Sequence, residues 1–221
     1  MDMNGLKINF LGDSITEGVG TSAPEKRYPD LIAADCGCIV RNYGISGTRI
    51  GRQKETSGCT IFDIDFRFRI PLMEEACDRV FVFGGTNDYG HGDAPFGDFD
   101  DRTPETFWGA CHDLFSRLIA KYPTCPIVVV TPLHRWYEYV PQTRTSRDGT
   151  VTQTTILRDY VEIIRQAAEY YSLPVCDLYA AGTICPELEA HRTAFCPDGL
   201  HPNDAGHEII ASRLANVLLS L

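Results

Sequence analysis

The sequence predicts an α/β protein, a three-layer α/β/α sandwich built around a mainly parallel sheet of about five strands. Two patterns support this fold class. Short apolar runs alternate along the chain with segments of helical period, and most of these runs are apolar throughout, as strands covered on both faces are. Right-handed crossover connections then place helices on both sides of the sheet.

The strand predictions follow from the apolar runs and from the residues that end them. The first run, residues 7–11, is ended by Gly12 and Asp13, and the third, residues 79–83, is ended by Gly84 and Gly85. The other three predicted strands cover residues 39–43, 127–130 and 174–178.

The helix predictions rest on the spacing of apolar residues. Thr103 is the predicted N-cap of a helix that has Pro104 at its first position and continues to residue 122. Its apolar residues follow the helical period at Phe107, Ala110, Cys111, Leu114 and Leu118. Further helices are predicted over residues 28–35, 155–171 and 203–219. No repeat, low-complexity tract or linker interrupts this order, so we expect a single domain spanning residues 1–221.

Composition and charge narrow the function classes. Thirty acidic and 20 basic residues give a formal net charge of −10, which argues against a general nucleic-acid or anionic-membrane binder. No apolar run approaches the roughly 20 residues that span a bilayer, and the N-terminus lacks the pattern of a signal peptide. The nine cysteines are scattered and form no Cys-x-x-Cys pair. We therefore expect a reduced, cytoplasmic protein.

Several familiar motifs fail on inspection. Gly18 and Gly20 lack the third glycine of a dinucleotide fingerprint because residue 23 is alanine, and no Gly-Lys-Ser/Thr phosphate loop occurs. His207 and Glu208 lack the second histidine of a zinc-peptidase helix, since residue 211 is alanine. Residues 44–47 are one residue too short for a Gly-x-Ser-x-Gly elbow.

Polar residues collect where predicted strands end, which is where ligands bind in open α/β sheets. Ser14 directly follows the first strand, as either a nucleophile above a helix N-terminus or an ordinary N-cap serine. Asp198 and His201 lie three residues apart before the last helix, with Gly199 easing a tight turn. A carboxylate that orients a histidine is the general-base half of a serine hydrolase. Gly44 and Asn87 follow two further strands, and they could supply a backbone N–H and a side-chain amide to an oxyanion.

These four blocks together resemble the SGNH superfamily of GDSL-type esterases and lipases, whose fold is flavodoxin-like. The matching segments contain Gly12-Asp13-Ser14-Ile15, Gly44, Gly85-Thr86-Asn87-Asp88 and Asp198-Gly199-Leu200-His201-Pro202, and they run through most of the chain. Ile15 stands where the family name has leucine, a change that conserves volume.

The resemblance implies acyl transfer in two steps. Ser14 is the implied nucleophile, His201 the base and Asp198 the residue that orients the base. The N–H groups of Ser14 and Gly44 and the amide of Asn87 are the implied oxyanion donors, and neither a metal nor an organic cofactor is needed. The expected substrate is a small ester with a short acyl or acetyl chain, with carbohydrate O-acetyl esters as one specific version.

The sequence is also compatible with other functions. A lysophospholipase or thioesterase would need a longer apolar pocket, and an acyltransferase would use the same catalytic set with another acceptor. A non-catalytic binding module and a flavodoxin-like electron carrier share the fold. A homo-oligomer is also compatible with the sequence.

Two connecting segments are candidates for substrate contact or ion binding. Residues 133–154 form a long connection that contains Trp136 and Tyr137, which either contact substrate or pack the loop onto the domain. Asp148-Gly149 within it is a hairpin-turn signal. Residues 89–101 hold four acids without the spacing of an EF-hand, so we expect a solvated loop there. For Asp13 and Asp88 we favour a structural role over a place in the pocket.

Overall fold

The computed structural model describes residues 3–145 and 151–221 and confirms the predicted fold class. The strands of the central sheet are β1 (Lys7–Gly12), β2 (Ile39–Gly44), β3 (Arg79–Phe83), β4 (Ile127–Val130) and, numbered in chain order, β7 (Val175–Cys176). All are parallel, in the order β2-β1-β3-β4-β7.

The longer helices are α2 (Tyr28–Cys36), α4 (Phe107–Lys121), α5 (Leu157–Tyr170) and α8 (Asp204–Ser220). Shorter ones are α1 (Ser14–Glu17), α3 (Thr86–His91), α6 (Leu178–Ala181) and α7 (Glu189–Phe195), with 3₁₀ turns at Pro24–Lys26 and Phe66–Leu72. Every helix within the described ranges is too short or too polar to cross a membrane.

Each face of the sheet carries its own hydrophobic core. Successive residues of β3 belong alternately to one core and the other, because neighbouring side chains of a strand point to opposite faces. Val80 and Val82 pack with α4 and α5, whereas Phe81 and Phe83 pack with α2 and α8. Phe10 of β1 stacks on Phe81 with a ring-centroid distance of 5.2 Å. A strand buried on both sides has no solvent face, which explains why the sequence shows unbroken apolar runs.

The start of α4 differs from the prediction. Thr103 is not the N-cap: the helix begins at Phe107, and Thr106 caps it by accepting a hydrogen bond from the Gly109 N–H at 3.1 Å. The segment before the helix folds back over its first turn, so that a Cβ on Gly109 would lie 2.0 Å from the Thr103 carbonyl oxygen. The glycine allows this close approach, and the cap therefore falls one threonine later.

The long connection after β4 contains secondary structure of its own. Strands β5 (Gln142–Thr145) and β6 (Val151–Thr155) pair in an antiparallel arrangement. The predicted turn at Asp148-Gly149 lies outside the described residues. The connection is therefore an excursion with a small two-stranded sheet, and helix α5 begins at Leu157, two residues later than predicted.

Candidate active site

Three neighbouring strands end at the same level of the sheet. Gly12 pairs with Gly44 of β2 on one side and with Phe83 of β3 on the other. A Cβ on Gly12 would lie 1.9 Å from Thr16 Oγ1 and 3.0 Å from the Phe83 carbonyl oxygen. Glycine at this position lets the chain leave β1 and turn at once into α1, so the segments after all three strands can meet.

Ser14 is the first residue of α1 and is 5% exposed. The preceding residue, Asp13, caps the helix by accepting a hydrogen bond from the Ile15 N–H at 3.0 Å. None of the described residues accepts a hydrogen bond from the Ser14 N–H, as expected at the start of a helix. The local sequence therefore presents a hydroxyl and an N–H group side by side at the end of β1.

Asp198 and His201 form a tight turn that precedes α8. Asp198 Oδ1 accepts hydrogen bonds from the N–H groups of Leu200 at 2.8 Å and His201 at 2.7 Å, while Oδ2 lies 2.7 Å from His201 Nδ1. Gly199 has φ +81°, and a Cβ there would lie 2.6 Å from Trp136 Cβ. Burial opposes ionisation of Asp198, but the hydrogen bonds from His201 and Leu200 outweigh it and hold the pKa of this half-exposed carboxyl below its usual value.

Ser14, His201 and Asp198 form one line of contacts. His201 Nε2 lies 3.0 Å from Ser14 Oγ, and the residues are 187 positions apart in the chain. An ionised carboxylate can only accept, so the hydrogen of the neutral imidazole lies on Nδ1 and Nε2 is the acceptor. The hydroxyl of Ser14 therefore donates to Nε2, which is the geometry a general base requires.

The structure places Gly47, and not the predicted Gly44, at this cluster. The Gly44 N–H donates to Asn42 Oδ1 at 2.8 Å, and a Cβ on Gly44 would lie 2.2 Å from the Glu17 backbone nitrogen. Gly44 thus packs against the backbone of α1, and its N–H group is already used. Gly47 lies three residues beyond the end of β2, with φ +75°, and lines the cleft in front of Ser14. Among the described residues, no acceptor faces its N–H group.

Both neighbours of Gly47 are anchored. Ser46 donates through its N–H and its hydroxyl to the Glu17 carboxylate. Thr48 receives a hydrogen bond from Asn87 Nδ2 at its carbonyl oxygen, at 3.0 Å. An amide NH₂ carries two hydrogens, so this contact uses one and leaves the other for a ligand. Asn87 is 4% exposed and lines the same cleft.

Arg69 connects the ends of β1 and β2 to this turn. Its Nη1 donates to the carbonyl oxygens of Gly12 and Tyr43, both at 2.5 Å, and its Nη2 donates to Thr48 Oγ1 at 2.9 Å. Burial lowers the pKa of Arg69 to about 10, which leaves it charged at neutral pH. No sequence pattern points to Arg69, because its partners are distant in the chain.

Asp13 and Asp88 are buried and contact the fold, not the cleft. The Asp88 carboxylate accepts hydrogen bonds from the N–H groups of Ile50 at 3.0 Å and Gly51 at 2.7 Å. Burial raises the pKa of Asp88 to about 6 and that of Asp13 to about 7, although backbone donors and nearby arginines oppose the shift.

An open cleft of about 340 Å³ lies in front of Ser14. Three of its ten wall residues, Ser14, Asn87 and His201, are predicted from the sequence, and the other seven are ordinary residues until the fold brings them together. The lining residues are Ser14, Val19, Ser46, Gly47, Asn87, Gly90, His91, Arg135, Leu200 and His201.

Trp136 and Tyr137, the predicted substrate contacts, are not among these lining residues. The Trp136 N–H donates to the Gly199 carbonyl at 2.8 Å, and its ring lies under the Arg192 guanidinium with 4.1 Å between the carbon and the ring centroid. The Tyr137 ring stacks on Trp136 at 4.4 Å. Trp136, with Tyr137 stacked on it, therefore packs against Gly199 in the turn between Asp198 and His201.

The acidic segment at residues 89–101 has contacts that account for two of its acids. Asp93 accepts hydrogen bonds from the N–H groups of Lys54 and Glu55, and Asp101 accepts one from Thr106 Oγ1 at 2.8 Å. Within the described residues, no three His, Cys, Asp or Glu side chains gather in a way that could hold a metal ion.

Comparison with protein families defines the class of protein. Residues 10–209 match the GDSL-like lipase/acylhydrolase family, so the chain belongs to this family of ester hydrolases. No protein of the curated set that was compared with the chain matches it.

Several solved structures have a similar fold. A protein from Lactobacillus plantarum is 31% identical, with a TM-score of 0.79 and 98% of each chain covered. A two-domain esterase active on acetylated mannans is 23% identical, with a TM-score of 0.61. The match covers 98% of this chain and 49% of that one. A carbohydrate acetylesterase family member from Sinorhizobium meliloti is 18% identical, with a TM-score of 0.61 and 96% and 97% covered.

The buried carboxyl of Asp13 predicts a pH-dependent stability. With a folded-state pKa of about 7 and an unfolded value near 3.9, folded Asp13 holds a proton that the unfolded chain has lost. Its contribution to the free energy of unfolding therefore falls by about 2–3 kcal/mol as the pH rises from 5 to 8. Asp13→Asn keeps the acceptor for the Ile15 N–H and removes the group that titrates.

We expect the free energy of unfolding of Asp13→Asn, relative to wild type, to rise by that amount between pH 5 and pH 8 in urea titrations. Asp100→Asn, at an exposed aspartate, is the control and should show little difference between the two pH values. A difference between Asp13→Asn and wild type that is the same at both pH values would contradict the assignment.

Proposed function

We propose that this protein is a serine esterase that hydrolyses short-chain acyl or acetyl esters through an acyl-enzyme on Ser14. The observation that carries the proposal is the unbroken line of contacts from Ser14 Oγ to His201 Nε2 and from His201 Nδ1 to Asp198. Membership of the lipase/acylhydrolase family supports the same reaction class.

In the first step, Ser14 Oγ attacks the ester carbonyl carbon while its proton moves to His201 Nε2. The new bond between Oγ and the carbonyl carbon forms a tetrahedral intermediate. When this intermediate collapses, the bond to the alcohol oxygen breaks, and His201 gives its proton to that oxygen. Asp198 stabilises the imidazolium that exists between the two transfers and keeps the ring in the productive orientation.

In the second step, water replaces the alcohol. His201 takes a proton from the water as the water oxygen attacks the carbonyl carbon of the acyl-enzyme. The Oγ–carbon bond then breaks, His201 returns the proton to Ser14 Oγ, and the carboxylic acid leaves. The enzyme is thereby restored without a cofactor or a change in oxidation state.

The negative charge of each tetrahedral intermediate needs donors. We assign this role to the N–H groups of Ser14 and Gly47 and to the second amide hydrogen of Asn87. The anchoring of Ser46 by Glu17 and of Thr48 by Arg69 and Asn87 supports the assignment, because donors that are held before the reaction need not reorganise during it.

The cleft favours a small acyl group. A volume of about 340 Å³ is at the small end of ligand sites. Among the described residues that line it, Val19 and Leu200 are the large apolar ones, so a long alkyl chain would find little apolar surface. The carbohydrate acetylesterase family member and the mannan-active esterase of similar fold favour a carbohydrate O-acetyl ester as the specific substrate.

We also propose a cytoplasmic location. All nine cysteines are free thiols, which is the form that a reducing compartment maintains.

Substitution of Ser14 tests the proposed nucleophile. Ser14→Ala removes the attacking oxygen, so we expect turnover of p-nitrophenyl acetate and butyrate to fall by a factor on the order of 10⁴–10⁶. The octanoate ester should already be a poor substrate of the wild type. Ser46→Ala, which removes a second hydroxyl of the same cleft, should keep measurable turnover. Hydrolysis that survives Ser14→Ala would contradict the proposal and leave a binding module as the better account.

Substitution of Asn87 tests the proposed oxyanion donors. Asn87→Ala removes one donor that is needed most in the transition state, so kcat should fall by about 10²–10³ while KM changes little. Steady-state kinetics with p-nitrophenyl acetate measure both constants. Asn216→Ala, at an exposed position of α8, is the control for amide removal in general. Equal kcat in Asn87→Ala and wild type would remove Asn87 from the oxyanion site.

A further inference from the structure

Arg135 is a partly buried cation in the wall of the cleft. Its Nη1 donates to the Thr86 carbonyl oxygen at 3.2 Å and to Thr86 Oγ1 at 3.3 Å. The guanidinium carbon lies 5.4 Å from the centroid of the Tyr89 ring. A Cβ on Gly90 would lie 3.0 Å from Nη1, so the glycine makes room for this side chain. These contacts hold the guanidinium against α3, next to Asn87.

The charge of Arg135 has no carboxylate partner among the described residues. No Asp or Glu oxygen of that part of the chain lies within 4.0 Å of its nitrogens. Several other arginines, among them Arg52, Arg117 and Arg158, do pair with a carboxylate, at the surface. Its Nε is buried and has no acceptor in the described structure. Taking a cation out of water without a counter-ion costs free energy, and an anionic ligand in the cleft would supply the missing charge.

The rest of the cleft wall agrees with an anionic ligand. Arg135 is the one lining residue in the described structure with a permanent charge, and no acid lines the cleft.

We propose that Arg135 forms a subsite for a negatively charged group of the substrate, such as a carboxylate, carried by the acyl part or the alcohol part of the ester. This inference rests on the proposed esterase function and narrows its substrate class. The formal net charge of −10 repels anions in general, so a preference for an anionic ester requires a local cation of this kind.

The test uses two pairs of esters that differ in charge and keep their shape. On the acyl side, mono-(4-nitrophenyl) glutarate is compared with 4-nitrophenyl 5-methylhexanoate, in which an isopropyl group replaces the carboxylate. On the alcohol side, 3-acetoxybenzoate is compared with 3-isopropylphenyl acetate. For each pair, the ratio of kcat/KM for the anionic ester to that for the neutral ester is measured in wild type and variants.

Arg135→Gln keeps a polar side chain and removes the charge. We expect the anionic-to-neutral ratio to fall by about 10–100-fold in at least one pair, the size expected for a charge-assisted hydrogen bond. The pair that responds identifies the part of the ester that carries the charge. Arg135→Lys should keep a ratio between those of wild type and Arg135→Gln, and it is the measured variant if Arg135→Gln does not fold. Arg158→Gln removes one exposed positive charge of α5 and should leave both ratios unchanged.

Ratios in both pairs that match wild type in Arg135→Gln and Arg135→Lys would overturn the inference and leave Arg135 as a packing residue against Thr86 and Tyr89. The proposed esterase function is tested separately by the dependence of hydrolysis on Ser14. Hydrolysis of any of the four esters that depends on Ser14 keeps that function whatever the ratios are, and hydrolysis of all four that is the same in Ser14→Ala and wild type would refute the function itself.

Discussion

The site depends on the buried guanidinium of Arg69. By donating to the carbonyl oxygens of Gly12 and Tyr43, it joins the ends of β1 and β2, and by donating to Thr48 Oγ1 it fixes the turn that carries Gly47. The proposed nucleophile Ser14 and the proposed oxyanion donor Gly47 belong to separate segments, so a shift of one segment against the other would separate them. One planar group with five donors can satisfy three acceptors at once, which a lysine ammonium at the same place could not do in the same geometry.

Burying the charge of Arg69 costs free energy, because the guanidinium is removed from water. Arg69 carries charge in a buried environment, and the carboxyl of Asp13, also buried, interacts with that charge while its pKa rises to about 7. Asp88 accepts two backbone hydrogen bonds in the loop after Arg49 and has its pKa raised to about 6. Both acids contact the scaffold and do not line the cleft, and Asp198 is the acid in contact with His201 Nδ1. Its half-exposed position and hydrogen bonds keep it ionised.

The sequence predicted those parts of the fold and site that short-range patterns determine. Local patterns of this kind are the apolar strand runs, the serine after β1 and the turn with an aspartate and a histidine. The structure brings Ser14, Asp198 and His201 together. The apolar run locates the end of β2 to within one residue and so points to Gly44, but the turn that brings Gly47 to the cleft is held by side chains distant in the sequence. Arg69 and Arg135 were missed for a different reason: their contacts reach Gly12 and Thr86 across 57 and 49 residues. Such contacts depend on how the layers pack.

The central claim is that Ser14 is a nucleophile activated by His201. The most direct measurement is to treat the protein with an alkyl fluorophosphonate, digest it and locate the modified residue by tandem mass spectrometry. The account predicts a single adduct on Ser14, formed much more slowly in His201→Ala because the base that takes the hydroxyl proton is gone. An adduct on another residue, or a rate of labelling at Ser14 that does not change in His201→Ala, would contradict it.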